Sequence, residues 1–88
     1  MELIEFELPP RSSVKKYIAV LYNPTTQRKV RVSFGDRRYG QYHDRIGHYR
    51  SLDTKDANRR RLYRLRHAGE GEESKKYTAG WFAWHILW

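Results

Sequence analysis

The sequence contains no cysteine, one methionine and three prolines. The absence of cysteine excludes disulfide bonds, thiol nucleophiles and the usual cysteine-ligated zinc sites, and it favours a reducing, intracellular environment. No stretch approaches the roughly 18 consecutive apolar residues that span a bilayer. The first ten residues, MELIEFELPP, carry acids where an export signal has a basic start. We therefore expect neither a membrane span nor secretion.

Catalytic and metal-binding patterns are missing as well. The acidic residues do not cluster in a way that would hold Mg²⁺, and FGDRRYG (34–40) lacks the spacing of a phosphate-binding loop. The histidines show no paired metal-ligand spacing; they are His43, His48, His67 and His85. The sequence predicts a protein without enzymatic activity, cofactor or metal.

Positive charge is what the sequence has in excess, and it is unevenly placed. The chain of 88 residues holds 18 lysines and arginines against 10 acids, a net charge of +8. Residues 11–68 contain 16 basic and four acidic residues, or +12, whereas the remainder carries −4. Such asymmetry favours a polyanionic partner, most often nucleic acid, and the alternative is a well-hydrated surface with no dedicated partner.

Hydrophobic alternation predicts a small antiparallel sheet in the first third of the chain. Residues 15–22 suit a central strand, 23–26 have turn composition, and 28–34 alternate again, so 15–34 is a hairpin. Residues 3–8 also alternate and are a candidate third strand, ended by a Pro-Pro pair. The side chains expected to face the core are Ile4, Phe6, Leu8, Val30, Val32 and Phe34.

The segment 53–68 has the signals of an arginine-rich helix. Asp53 or Thr54 is the expected N-cap, and Gly69 the expected stop. Leu62 and Leu65 form a narrow apolar stripe that we expect to touch the core. The side chains expected to point elsewhere are Arg59, Arg60, Arg64 and His67. Residues 37–50, rich in tyrosine and arginine, predict a loop or a short helix.

All three tryptophans lie in the last eight residues, WFAWHILW (81–88). Thr78 is a plausible cap for a short helix that would place the tryptophans on one face, and a strand is the alternative. The aromatic residues concerned are Trp81, Phe82, Trp84 and Trp88. We expect them to complete the core, with a protein anchor, base stacking or membrane contact as alternatives.

Together these patterns predict one α+β domain over 1–88, in which a small sheet packs with an arginine-rich helix and a short aromatic C-terminal helix. The residues expected to contact a polyanion or protein partner are Arg59, Arg60, Arg61, Arg64, Arg66, Lys29 and Arg31. Guanidinium groups fork onto phosphate oxygens, which favours phosphate binding without base readout. The alternative is that these arginines pair with acids, either a neighbouring subunit's or the chain's own Glu70, Glu72 and Glu73.

Three segments, 32–44, 47–67 and 77–88, resemble a family of short uncharacterised basic proteins encoded by large DNA viruses and some phages of aquatic hosts. The shared features are a strand ending in FGD (34–36), a YxxYxD stretch, an RRxxYxxRH helix and a Leu-Trp ending. The residues that carry them are Tyr39, Tyr42, Asp44, Asp53, Arg59, Arg60, Tyr63, Arg66, His67, Leu87 and Trp88. The acidic segment 69–73 departs from the pattern.

The resemblance implies a viral context and no catalytic residues. It suggests a minor structural protein of the virus particle that contacts neighbouring subunits. The alternative is a sequence-independent nucleic-acid-binding or genome-condensing protein. Either would be located in the virion or inside the host cell, in cytoplasm or nucleus.

Overall fold

The predicted hairpin forms, and the computed structural model describes all residues, 1–88. Strands β1 (Glu2–Glu7), β2 (Lys15–Asn23) and β3 (Arg28–Asp36) make an antiparallel sheet in the order β1-β2-β3. Asn23 pairs with Arg28, and the Asn23 side chain accepts a hydrogen bond from the Thr25 N–H at 3.0 Å, which sets the turn. The predicted third strand is confirmed.

The remaining elements are helical. Helix α1 spans Ala57–Arg66, and helix α2 spans Ala79–Phe82 and continues as a π-helical turn, Ala83–Leu87. Short 3₁₀ turns lie at Arg50–Leu52 and Glu73–Lys75. The predicted α+β class, with a sheet, an arginine-rich helix and a short aromatic C-terminal helix, is confirmed. No helix is both long and apolar enough to cross a membrane.

Strand β1 departs from the predicted alternation because it contains a bulge. Leu3 pairs with Leu21 and Glu5 with Val20, so Ile4 is an extra residue without a partner. Ile4 is therefore exposed, and Leu8, which lies beyond the end of the strand, is exposed as well. Of the three expected inward positions only Phe6 packs against the core. Val30, at the turn end of β3, is exposed too, whereas Phe34 is fully buried.

The core lies between the sheet and the C-terminal helix. Its buried members are Tyr17, Ala19, Leu21, Phe34, Phe82 and Leu87. Phe34 and Phe82 stack with ring centroids 5.3 Å apart, and Phe6 meets both rings edge-on. Aromatic rings thus supply much of the core of this short chain.

The C-terminal helix begins as predicted, since the Thr78 hydroxyl accepts a hydrogen bond from the Trp81 N–H at 3.2 Å. Of the aromatic residues expected to complete the core, Phe82 is buried in it, and Trp81 and Trp88 are half-buried and pack against it, whereas Trp84 is half-buried outside the core cluster. The most buried residues of this helix are Phe82 and Leu87. Five residues apart, Phe82 and Leu87 would lie about 140° apart on an α-helix. The wider π turn, closed by the Trp88 N–H bond to the Ala83 carbonyl at 3.1 Å, brings them to one face.

Helix α1 is shorter than the predicted 53–68 and turned the other way. Asp56 is its N-cap, accepting from the Asn58 N–H at 2.9 Å, and Asp53 lies in the preceding loop instead. Leu62 and Leu65 remain 38% and 65% exposed. The inward side chains are Arg60, Tyr63 and Arg64, because α1 packs on the polar end of the C-terminal helix and not on the apolar sheet.

Candidate polyanion interface

The end of the C-terminal helix needs partners for its last carbonyl groups, which have none within the helix. The Ile86 carbonyl accepts from the backbone N–H and the Nη1 of Arg45, both at 3.1 Å. The Trp88 carbonyl accepts from Arg60 Nε at 2.9 Å and from Arg64 Nη2 at 3.1 Å. Cations are favourable at this negative end of the helix dipole. Two arginines of α1 therefore act as caps for another helix.

Aromatic contacts reinforce this junction. The ring of Tyr63 stacks on that of Trp88 with a centroid distance of 4.4 Å and on that of His67 at 4.2 Å. The Arg60 guanidinium lies 4.6 Å from the centroid of the Tyr42 ring. The Arg64 guanidinium lies 5.0 Å from the centroid of the Trp84 ring. Each such cation–π contact contributes about 0.5–1 kcal/mol or more.

These contacts correct part of the predicted interface. Arg60 and Arg64 are half-buried and bound to the protein itself, so they are not free outward contacts. Burial lowers the pKa of the Arg64 guanidinium, and the nearby charges of Arg60 and Arg45 add to the effect. The three guanidinium groups of Arg45, Arg60 and Arg64 thus converge on backbone oxygen atoms at the end of this helix.

The other three arginines of α1 are exposed. Arg59, Arg61 and Arg66 form no ion pair with any acid, and Arg61 hydrogen-bonds only to Asn58 at 2.8 Å. The acids that follow α1 are engaged elsewhere or free: Glu70 lies 2.8 Å from the His67 ring and Glu73 lies 3.6 Å from Lys76. Pairing of the helix arginines with the chain's own Glu70, Glu72 and Glu73 is therefore wrong.

A cleft of about 310 Å³ borders this exposed charge. It lies between α1 and the loop after β3, and its lining residues are Tyr39, Gly40, Arg59, Leu62, Tyr63, Arg66 and Trp88. A second lobe of about 330 Å³ shares Tyr39, Gly40, Tyr63 and Trp88 with the first and extends towards Lys15 and Asp36. On the opposite side of α1, Arg61 borders a recess of about 390 Å³ with Arg60 and Arg64.

Lys29 and Arg31, predicted as part of the same interface, lie elsewhere. They alternate along β3 with Val30 and Val32, so they project from the sheet face opposite the core. Arg31 also pairs with Glu7 across the sheet at 2.9 Å. The structure does not bring these two residues together with the arginines of α1.

A buried polar network holds the loop 37–54, and sequence analysis missed it. Asp44 is fully buried and accepts hydrogen bonds from the Tyr17 hydroxyl and from the backbone N–H groups of Ile46, Gly47 and Tyr49. Its sequence signal is the Asp-x-x-Gly spacing of Asp44 and Gly47, which is typical of a side-chain-stabilised turn.

A second half of the network centres on Gln41, which is also fully buried. Its amide donates to Asp53 at 2.6 Å and to the Tyr49 carbonyl at 2.9 Å, and its oxygen accepts from Lys16. Lys16 donates in addition to the Tyr39 carbonyl at 2.9 Å. The strand β2 therefore fixes the backbone beside the cleft.

Electrostatics in the network follow from burial and hydrogen bonding. Burial alone would raise the pKa of Asp44, but the hydrogen bonds from Tyr17 and three backbone N–H groups outweigh it and the pKa is lowered. The pKa of Asp53 is lowered for the same reason, through Gln41, the Asp44 N–H and His43. Burial lowers the pKa of Lys16, opposed by the neighbouring aspartates. No group of three or more histidine, aspartate or glutamate side chains is placed to hold a metal ion.

The chain was compared with known protein families, curated proteins and solved structures. No protein family, no curated protein and no solved structure matches the chain.

Proposed function

We propose that this protein binds nucleic acid through the phosphate backbone, without sequence readout. The observation that carries the proposal is the set of three exposed guanidinium groups on α1, Arg59, Arg61 and Arg66, that no carboxylate of the chain neutralises. Positive charge that is held in place and is not paired within the protein attracts a polyanion.

The geometry of α1 favours phosphate contact. Arg59 and Arg66 are seven residues apart, so they lie on one side of the helix and about 10 Å apart along its axis. Arg60 and Arg64 hold the helix in place from the opposite side. The exposed arginines are thus presented by a fixed element, which lowers the entropy cost of binding.

The test is fluorescence anisotropy of a labelled DNA duplex at salt concentrations between about 50 and 200 mM. Three phosphate contacts would reduce the affinity about 40-fold over this range, since each contributes a slope of about 0.9 in log–log form. Replacing Arg59, Arg61 and Arg66 together by glutamine should remove that part of the salt dependence.

The matched control removes three positive charges from the sheet instead, as Arg28→Gln, Lys29→Gln and Arg31→Gln. It should keep most of the affinity if α1 makes the contact. Equal losses in the two triple variants would mean that net charge alone drives binding. An absence of binding at the lower salt concentration would refute the proposal.

A second candidate is a minor structural protein of a virus particle, in the virion or inside the host cell, that contacts neighbouring subunits. Leu62 and Leu65 favour it, because they are exposed on the outermost face of α1, between Arg61 and Arg66. A contiguous exposed apolar patch marks a protein contact, and arginine is enriched among the residues that dominate such contacts. Binding to subunits would respond far less to salt than phosphate binding, so the same titration against a subunit separates the two.

A further inference from the structure

We infer that the cleft beside α1 accepts an unpaired base, so that the protein prefers single-stranded over double-stranded nucleic acid. This inference rests on the proposed function and goes beyond it. Phosphate contacts alone do not distinguish the strands, whereas a base can enter a cleft only when it is unpaired.

Two of the rings that line the cleft, Tyr63 and Trp88, belong to a stack of three aromatic rings. His67, Tyr63 and Trp88 form a continuous column, with centroid distances of 4.2 and 4.4 Å and interplanar angles of 23° and 6°. No other aromatic ring of the chain stacks on Trp88. The Tyr63 and Trp88 rings that a base would meet in the cleft are therefore held in a fixed orientation by their own stacking.

Tyr39 stands at the mouth of the same cleft and is 65% exposed. Its backbone is nevertheless fixed, because its N–H donates to the Asp36 carbonyl at 3.2 Å and its carbonyl accepts from the buried Lys16. A large ring that is exposed on a fixed backbone is preorganised for stacking, and its only aromatic-face partner is the Arg38 guanidinium at 5.8 Å.

Charge and size select the occupant. Arg59 and Arg66 line the cleft together with the rings of Tyr39 and Trp88, so base stacking and phosphate pairing are available in one place. The volume of about 310 Å³ is at the lower limit of small-molecule sites, which suits one nucleotide. An apolar peptide would leave both guanidinium groups without a partner.

The experiment compares a labelled oligo(dT), an abasic oligomer with the same number of phosphates, and a duplex, all at one salt concentration. We expect the full chain to bind oligo(dT) at least about 5-fold tighter than the abasic oligomer, since stacking on one aromatic ring is typically worth that factor or more. Tyr39→Leu should reduce the preference for bases and leave abasic binding unchanged, and Tyr39→Trp should retain the preference.

Failure of the inference can be told apart from failure of the proposed function. Equal affinity for oligo(dT), abasic oligomer and duplex would overturn the cleft as a base site while phosphate binding stands. A preference for bases that survives Tyr39→Leu would also overturn it. Binding of none of the three probes would overturn both. Because Tyr39 is exposed, the thermal midpoint of each variant should match that of the wild type, which checks that folding is unchanged.

Discussion

Replacing the buried carboxylate Asp44 by asparagine is expected to destabilise the fold strongly although the side-chain shape is kept. Each carboxylate oxygen accepts two hydrogen bonds. Oδ1 accepts from the N–H groups of Ile46 at 2.9 Å and Gly47 at 3.0 Å. Oδ2 accepts from the Tyr49 N–H at 2.8 Å and from the Tyr17 hydroxyl. An amide has only one acceptor oxygen, so its NH₂ group must face two of these donors.

The expected loss of stability is that of the amide orientation with the lower energy. If the NH₂ group faces Tyr49 and Tyr17, the Tyr17 hydroxyl can rotate to accept, but the partly buried Tyr49 N–H loses its partner. An unsatisfied buried donor costs about 1–3 kcal/mol, and the loss of charge-assisted bonds adds to this. We expect a total of about 2–4 kcal/mol, which for a chain of this size lowers Tm by roughly 10–25 °C.

Thermal unfolding followed by circular dichroism measures this effect. The control is Glu5→Gln, which makes the same chemical change on the exposed surface of β1, where the side chain has no ion pair or hydrogen bond. Its Tm should stay within about 2 °C of the wild type. A fall of less than about 5 °C for Asp44→Asn would mean that the network does not hold the loop as described.

The pH dependence gives an independent check of the same carboxylate. Since the folded-state pKa of Asp44 lies below its ordinary value of 3.8, its stabilising effect is complete above that value and is lost as the pH falls through the folded pKa. The difference in stability between the wild type and Asp44→Asn should therefore shrink below about pH 4. A constant difference down to strongly acidic pH would contradict the lowered pKa.

Two further predictions concern α1. The double variant Arg60→Gln with Arg64→Gln should lower the free energy of unfolding by about 2 kcal/mol, because it loses the hydrogen bonds to Trp88 and the cation–π contacts. The double variant Arg61→Gln with Arg66→Gln should leave the stability nearly unchanged. Urea unfolding of both variants checks this, and equal midpoints would refute the assignment. Burial and the charge of Glu70 raise the pKa of Tyr63 to about 12. The contribution of the neutral Tyr63 side chain to stability is therefore complete below about pH 10 and is lost as the pH rises towards 12. Phenolate absorbance should show tyrosines that titrate late, and Tyr63→Phe should reduce their number by one.

The sheet could be predicted because its signal is local. Alternation along 28–34, the nearly continuous β-formers of 15–22 and the turn residues between them each act within a few residues of sequence. The bulge at Ile4 could not be predicted, since a period-two pattern does not mark an extra residue. The Asp44 network was missed because its partners are distant: Tyr17 is 27 residues away, and Lys16 is 25 residues from Gln41.

The orientation of α1 was predicted wrongly for a physical reason. A leucine stripe faces inward when the surface that receives the helix is apolar. Here the receiving surface is the carbonyl end of a helix, flanked by aromatic rings. Guanidinium groups match both features, as donors to oxygen and as planar cations over rings. Arginine is therefore the inward-facing residue of this helix, directed at the end of the C-terminal helix, and leucine is exposed.

The arginine run and the tryptophan-rich ending consequently form one unit, and the helical period decides what each arginine does. Arg60 and Arg64 lie about 40° apart around α1 and bind the backbone oxygen of Trp88, whereas Arg59 and Arg66 lie about 20° apart and border the open cleft. Arginines that are neighbours in the sequence, such as Arg59 and Arg60, therefore have different roles. Stability and binding should separate by residue: Arg59→Gln with Arg66→Gln removes charge from the cleft while the junction that orders Tyr63 and Trp88 stays intact. A loss of binding in that variant, at unchanged Tm, would assign the contact to the cleft rather than to the fold.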